Sequence, residues 1–183
     1  MKELTREEQL IFLKNTVRNI PDFPIPGIQF KDVTPLFRTK ESLSMLTNVL
    51  LEEYRNKGIT KVVGIESRGF IMGPIMALEL GAGFVPIRKP GKLPAAVYEE
   101  EYEKEYGTDK IQIHHDALSS DDVVLLHDDL LATGGTMLAA YKLVKKMGVK
   151  KIYINFIIEL EDLNGRNLFP ENINLNALIK FSV

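Results

Sequence analysis

Short apolar runs of strand length alternate with helix-periodic segments along most of the chain. "TKVVGIE" breaks at "SRG" and precedes the helical "FIMGPIMALELG", and "GFVPIRK" follows. "IQIHHDA" reads as a further strand. "DVVLLHD" precedes a helical stretch from Thr136 to Met147, and "KKIYINFIIEL" comes after it. Strands separated by helices need crossover connections, which favour parallel pairing. The expectation is an α/β fold: a mostly parallel twisted sheet with flanking helices, its ligands bound beyond the carboxyl ends of the strands. "LNALIKFSV" alternates weakly and is expected at a sheet edge. Thr5 to Arg18 reads as an amphipathic helix through Leu10, Leu13 and Val17, and roughly Ser42 to Asn56 as a second, stopped at Gly58. Between them, "IPDFPIPGIQFKDVTP" carries four prolines, which argues for a rigid, extended segment without helix.

Composition narrows the classes. The chain has 183 residues, 45% hydrophobic and 26% charged, enough for one domain with a real core, and a single domain over 1–183 is expected. A net charge of −2 provides no broad basic surface for a nucleic-acid backbone. No cysteine is present, so disulfides and thiolate metal sites are excluded. The N-terminus, "MKELTREEQLIFLKN", is charged and amphipathic, and no segment approaches the ~18 uninterrupted apolar residues of a membrane span. A cytoplasmic protein without a signal peptide is the expectation.

The chemistry concentrates in "VVLLHDDLLATGGTMLAAYKLVKKMG". An apolar run ends in Asp128 and Asp129, then in a small, glycine-rich loop. Gly134 and Gly135 allow successive N–H groups to converge. The next helix carries Met137, Tyr141 and Val144 on one stripe, so its N-terminus should face the loop with unpaired donors. With the Thr133 and Thr136 hydroxyls, this can cradle a phosphate. No Lys follows the glycines, so it is not a Walker loop, and G-x-G-x-x-G is absent. A glycine turn that binds nothing would look similar. The acids argue otherwise, because two carboxylates beside a phosphate need something between them. Ribose hydroxyls, a Mg²⁺ ion or a sugar developing positive charge would each serve.

This stretch resembles the phosphoribosyl pyrophosphate (PRPP) signature of the type I phosphoribosyltransferases. The resemblance implies that Asp128 and Asp129 hold the ribose hydroxyls, while Ala132, Thr133, Gly134, Gly135 and Thr136 hold the sugar phosphate. Other segments are similar to the adenine phosphoribosyltransferases within that family. "PDFPIPGIQFKDVTPL" resembles an extended base-binding segment (22–37), and "GIESRGFIMGP" a pyrophosphate loop. "PIRKPGKLP" and "EYEKEYGTD" resemble the ends of a catalytic flap (89–110), and "IIELEDLNGR" a strand and turn near the base. The resemblance implies transfer of phosphoribose from PRPP to adenine, giving AMP and pyrophosphate in purine salvage. It also implies Mg²⁺, held mainly through PRPP, and a homodimer in which some cations act across the interface.

Residue by residue, the resemblance assigns pyrophosphate to Ser67, Arg68, Arg88, Lys89 and Lys92. It also implies a non-proline cis peptide near Glu66–Ser67. Read alone, Arg68 could be a surface arginine in a turn, and the three later cations a solvated basic turn. The middle of the chain, "PGKLPAAVYEEEYEKEYGTDK", is acidic and tyrosine-rich, with little apolar material, as a lid would be. Of the five glutamates in "YEEEYEKEYG", Glu105 matches the family's proton-handling carboxylate, and Tyr106 a neighbouring flap residue. Gln29, Phe30, Lys31 and Leu160 fall where the family reads the base. Gln29 and Lys31 depart from the aliphatic residue and Arg of many relatives, which bears on base choice and not on PRPP.

The histidines add little. His114 and His115 are adjacent on an expected strand and face opposite ways, so they cannot form a tight ligand pair. His127 stands where relatives have an aliphatic residue; it reads as a packed histidine, with an indirect effect on Asp128 as the alternative. Two other functions share the opening signature: a phosphoribosyltransferase for xanthine, hypoxanthine or orotate, and a PRPP-sensing regulator that binds nucleic acid. The first should not combine "DFPIPGIQF" with "RKPGKLP…EYG", and the second would want a basic face.

Overall fold

The computed structural model describes residues 4–103 and 107–182. Their packing divides at Glu52 into two compact units, Met1–Glu52 and Glu53–Ser182.

The first unit begins with helix α1 (Arg6–Thr16). Thr5 caps it: its hydroxyl accepts from the Glu8 N–H, and the Glu8 carboxylate accepts from the Thr5 N–H. Only Leu13 of the expected stripe is buried, and Val17 is the C-cap. Strands β1 (Arg18–Pro21) and β2 (Gln29–Asp32) then pair antiparallel, with Ile20 opposite Phe30. The proline-rich segment is therefore a hairpin and not one extended run. Its turn is closed by Asp22, which has φ 56° and accepts the Gly27 N–H at 2.7 Å. The expectation of no helix fails at Thr34–Phe37, a single 3₁₀ turn. Pro35 opens it, where a missing N–H costs nothing. Helix α2 (Lys40–Leu51) is capped by Thr39 and ends earlier than expected. α1, the 3₁₀ turn and α2 pack on one another.

The second unit is a five-stranded parallel sheet in the order β4–β3–β7–β8–β9. Its first elements are β3 (Lys61–Ile65), α3 (Gly69–Leu80) and β4 (Gly83–Ile87). Next come β5 (Val97–Glu103) and β6 (Thr108–His114), which pair as a separate antiparallel ribbon. Finally come β7 (Val123–Leu131), α4 (Gly135–Lys146), β8 (Lys151–Leu160) and β9 (Asn174–Phe181). The parallel sheet, its flanking helices and the edge position of β9 are as expected. Residues Ile152 to Glu159 of β8 are all buried, as befits a strand covered on both faces. Val63, Ile65, Leu126, Leu143, Ile154 and Phe156 belong to the core.

Strand order locates the ligand crevice. From β3 the chain moves outward to β4, then returns to place β7 on the other side of β3. Adjacent strands whose connections leave in opposite directions open a crevice at their carboxyl ends. The segments there are Glu66–Arg68, after β3, and Asp128–Gly135, at the end of β7.

Candidate active site

Both acids belong to β7 itself, two residues before its end. Asp129 is buried and Asp128 half-buried. Asp128 Oδ1 accepts the Asp129 N–H at 2.9 Å. Arg68 stands opposite, its Nε 2.7 Å from Asp129 Oδ2. That oxygen is buried, and the guanidinium is its charge partner. Burial, then the charge of its neighbour, pushes the Asp128 carboxyl well above the usual range. Burial also raises Asp129, against the pull of Arg68. Two desolvated carboxylates are thus held ready for donors or positive charge.

Glu66, Ser67, Arg68, Asp128 and Asp129 line one open pocket of about 420 Å³. The Glu66–Ser67 peptide is cis. Gly69, which begins α3, makes the approach to β7 possible. A Cβ there would lie 2.9 Å from the His127 carbonyl and 3.1 Å from Asp128 Oδ1. Asp128 also borders a smaller hollow of about 90 Å³, lined by Ala132 through Met137 and by Phe156. Gly134, with φ 86°, is the N-cap of α4, and no side chain caps that helix start. Its first N–H groups and partial positive charge therefore face the hollow.

The basic turn is organised by Glu66, which the sequence reading did not single out. Its carboxylate accepts from Arg88 Nε and Nη2, each at 3.2 Å, and from the Lys89 N–H at 3.1 Å. The Arg88 hydrogen bonds hold the Glu66 carboxyl below its usual range, although burial opposes them. Arg88 also donates to the Lys92 carbonyl at 3.1 Å, and Lys92 itself is exposed. Lys89 turns to the ribbon: its Nζ donates to Asp109 and, at 2.8 Å, to the Tyr102 hydroxyl. Burial pulls the Lys89 ammonium down, but these bonds outweigh it and leave it raised.

The remaining residues fall elsewhere. Glu105 and Tyr106 lie outside the described residues. Leu160 is half-buried at the end of β8, opposite Phe181. In the first unit, Gln29 Oε1 accepts from Asn19 Nδ2 at 2.8 Å, and Lys31 Nζ donates to Asn19 Oδ1 at 2.9 Å. One amide across the hairpin thus orients both departures. Phe30 meets Phe23 edge to face at 5.1 Å. His114 bonds the Pro94 carbonyl and His115 the Tyr98 hydroxyl, each at 2.7 Å. His115 lies one residue beyond β6.

His127 is fully buried beside the acids. Its Nδ1 lies 3.0 Å from Asn155 Oδ1, an oxygen that only accepts, so the proton sits on Nδ1. Asn155 Nδ2 in turn reaches the Tyr54 hydroxyl at 3.4 Å. Burial lowers the His127 pKa to about 4, against the opposing Asn155 bonds. The packed-histidine reading fits this neutral, shielded ring.

A switch-point crevice with two adjacent acids, an arginine and a glycine-capped helix start defines a phosphoribosyltransferase class of site. The family described as "Phosphoribosyl transferase domain" matches residues 36–167. Adenine phosphoribosyltransferase of Bacteroides thetaiotaomicron is 65% identical over 167 residues, 91% of this chain and 95% of that protein. The crystal structure of the Rhodothermus marinus adenine phosphoribosyltransferase superposes with a TM-score of 0.91 at 47% identity, covering 96% of this chain and all of that one. The Saccharomyces cerevisiae enzyme, complexed with an imino-altritol bisphosphate and adenine, gives 0.88 at 39% identity over 94% of this chain and 99% of its own. The chain belongs to the phosphoribosyltransferase family and, within it, to the adenine phosphoribosyltransferases.

Proposed function

We propose that this enzyme transfers the phosphoribosyl group of PRPP to adenine, giving AMP and pyrophosphate in purine salvage. The observation that carries the reading is the meeting of Asp128, Asp129 and Arg68 beside the glycine-capped start of α4. In the reaction the C1′–O bond to pyrophosphate breaks, a C1′–N bond to adenine forms, and adenine gives up one proton. Asp128 and Asp129 accept from the ribose hydroxyls and face the positive charge that develops on the sugar. The loop from Ala132 to Thr136 binds the 5′-phosphate through main-chain N–H groups and the two threonine hydroxyls. Ser67, Arg68 and the turn of Arg88, Lys89 and Lys92 take the pyrophosphate. Glu105, with Tyr106 beside it, handles the proton, and the ribbon keeps water from the sugar.

Mg²⁺ fits as a passenger of PRPP. Among the described residues no group of three or more His, Asp or Glu could cage an ion, and Asp128 and Asp129 would be the side chains beside an ion that arrives with PRPP. When bound, Mg²⁺ neutralises charge on the leaving pyrophosphate. We further propose a homodimer. Helix α3 shows an apolar outer face in Ile71, Pro74 and Leu78, the last 80% exposed, which a second copy would cover. No helix among the described residues is long and apolar enough to cross a membrane, in keeping with a cytoplasmic location.

Adenine is preferred over hypoxanthine. The Asn19 tie holds the Gln29 and Lys31 side chains against the hairpin and leaves base choice to main-chain groups. Hypoxanthine reverses a donor and an acceptor on the purine edge, at about 1–3 kcal/mol for each mismatch. Two mismatches correspond to roughly a hundredfold or more in specificity. The test is a competition between equal adenine and hypoxanthine with PRPP and Mg²⁺, scored as AMP against IMP. A ratio near one, or an excess of IMP, would reject adenine while leaving the PRPP reading in place. No nucleotide from any purine would favour the PRPP-sensing alternative.

A further inference from the structure

Gly165 is buried in the turn that follows β8, outside the acids, the loop and the basic turn described above. Its need for glycine is spatial. A Cβ at 165 would lie 2.1 Å from the Ala132 carbonyl oxygen and 2.9 Å from both Gly134 N and Thr133 C. The contact is reciprocal, since a Cβ at Gly134 would lie 2.6 Å from the Gly165 carbonyl oxygen. All four neighbours are main-chain atoms, so no side chain can swing aside to make room. Two backbones touch here, and one of them is the phosphate loop.

The turn that carries Gly165 is itself firmly held. Arg166 grips the Glu159 carboxylate of β8 with two bonds, at 3.0 and 2.6 Å, and donates to the Leu175 carbonyl of β9 at 2.8 Å. Glu159 is buried and stands opposite Leu131 of β7 on one side and Lys180 of β9 on the other. Asn164, with φ 53°, sets the chain direction into Gly165, and its N–H donates to the Glu161 carbonyl at 3.0 Å. The turn is thus anchored to two sheet strands by a charged fork. The facing segment, Ala132 to Gly134, is bend and loop between β7 and α4. The rigid side of the contact is the turn.

We infer that Gly165 is a positioning residue: its bare backbone is the surface against which Ala132–Gly134 takes the shape that points its N–H groups at a phosphate. This rests on the reading of the loop as the 5′-phosphate site. Gly165 acts only through the loop and bears on neither Ser67 nor Arg68. A methyl group at 165 must push Ala132–Gly134 outward, and displacements of about 1 Å at a binding site cost up to about a hundredfold.

The experiment compares wild type and Gly165→Ala by calorimetric titration with ribose 5-phosphate and, separately, with inorganic pyrophosphate. The expected result is a loss of at least tenfold in ribose 5-phosphate affinity, with pyrophosphate affinity within twofold of wild type. In turnover, KM for PRPP should rise by the same factor while KM for adenine holds. Unchanged ribose 5-phosphate binding in the variant would overturn the inference and leave the loop reading intact. Equal losses for both ligands would also overturn it, since they would report general loosening. If wild type itself fails to bind ribose 5-phosphate, the loop reading falls and takes this inference with it. Should Gly165→Ala not fold, Arg166→Lys loosens the anchor without touching the loop. It should weaken ribose 5-phosphate at least threefold and spare pyrophosphate, and unchanged phosphate binding would again overturn the proposal.

Discussion

Arg68 Nε and Asp129 Oδ2 lie 2.7 Å apart across the crevice, joining the loop after β3 to the end of β7. Asp129 is nearly buried, so its charge depends on that guanidinium. Arg68→Met should destabilise the fold by about 1–3 kcal/mol where Asp129 is ionised, a range kept modest because Arg68 is part-exposed. The loss should shrink as pH falls, because the protonated carboxyl needs no partner. Urea melts at pH 8 and pH 5.5 check this; an equal loss at both would disconnect Arg68 from the Asp129 charge.

Asp128→Asn and Asp129→Asn should each lower turnover at least a hundredfold, since each removes a charge aimed at the ribose or its developing cation. Stability should move the other way. Burial raises both carboxyls, so a neutral isostere relieves desolvation, and Asp128→Asn should melt at or above the wild-type midpoint at pH 8. Near-normal turnover in both variants would make the acids structural.

Those raised carboxyls also set the acid side of activity. A group whose pKa is raised loses its charge earlier as pH falls. PRPP binding in the wild type should therefore weaken at a pH above the ordinary carboxylate pKa of about 4. Ribose 5-phosphate affinity measured from pH 8 to pH 4 in wild type and in Asp128→Asn separates this from protonation of the ligand's own phosphate, and identical profiles would contradict the shift.

His127 predicts a separate pH effect on stability. Its pKa is about 4 folded, against 6.5 unfolded. For a base with a depressed pKa, the unfolded chain takes up the proton first as pH falls. The neutral ring therefore costs nothing above about pH 6.5, and the fold loses stability between there and pH 4, by about 3 kcal/mol when complete. His127→Leu removes this slope while leaving Asp128 and Asp129 in place. The difference between the two chemical-denaturation profiles isolates it, and parallel profiles would refute it.

PRPP with Mg²⁺ should protect the fold. Ligand at about a hundred times Kd adds about 2.7 kcal/mol, or roughly 5–10 °C in Tm for a chain of this size. No shift at saturating PRPP would remove the central claim.

The sequence by itself determined what lies within a few residues along the chain. The alternation of strand-length runs and helices specified the parallel sheet, because periods of 2 and 3.6 are local properties. The acids, the glycine pair and the following helix are consecutive, so their joint fitness for ribose and phosphate was legible before any fold was known. What only the tertiary structure decided depends on backbones meeting from distant positions. Strand order placed the loop after β3 beside the end of β7, and no local pattern encodes which strands become neighbours. The proline-rich segment closes into a hairpin because Asp22 and Gly27 meet, and there Asn19 captures both Gln29 and Lys31. Lys89 turns to Asp109 and Tyr102 once the ribbon forms. His127 stays neutral because the surrounding core excludes water, although its bond to Asn155 opposes this. Gly165 looks like an ordinary turn glycine in the sequence; its demand for space appears only when its backbone is packed on Ala132.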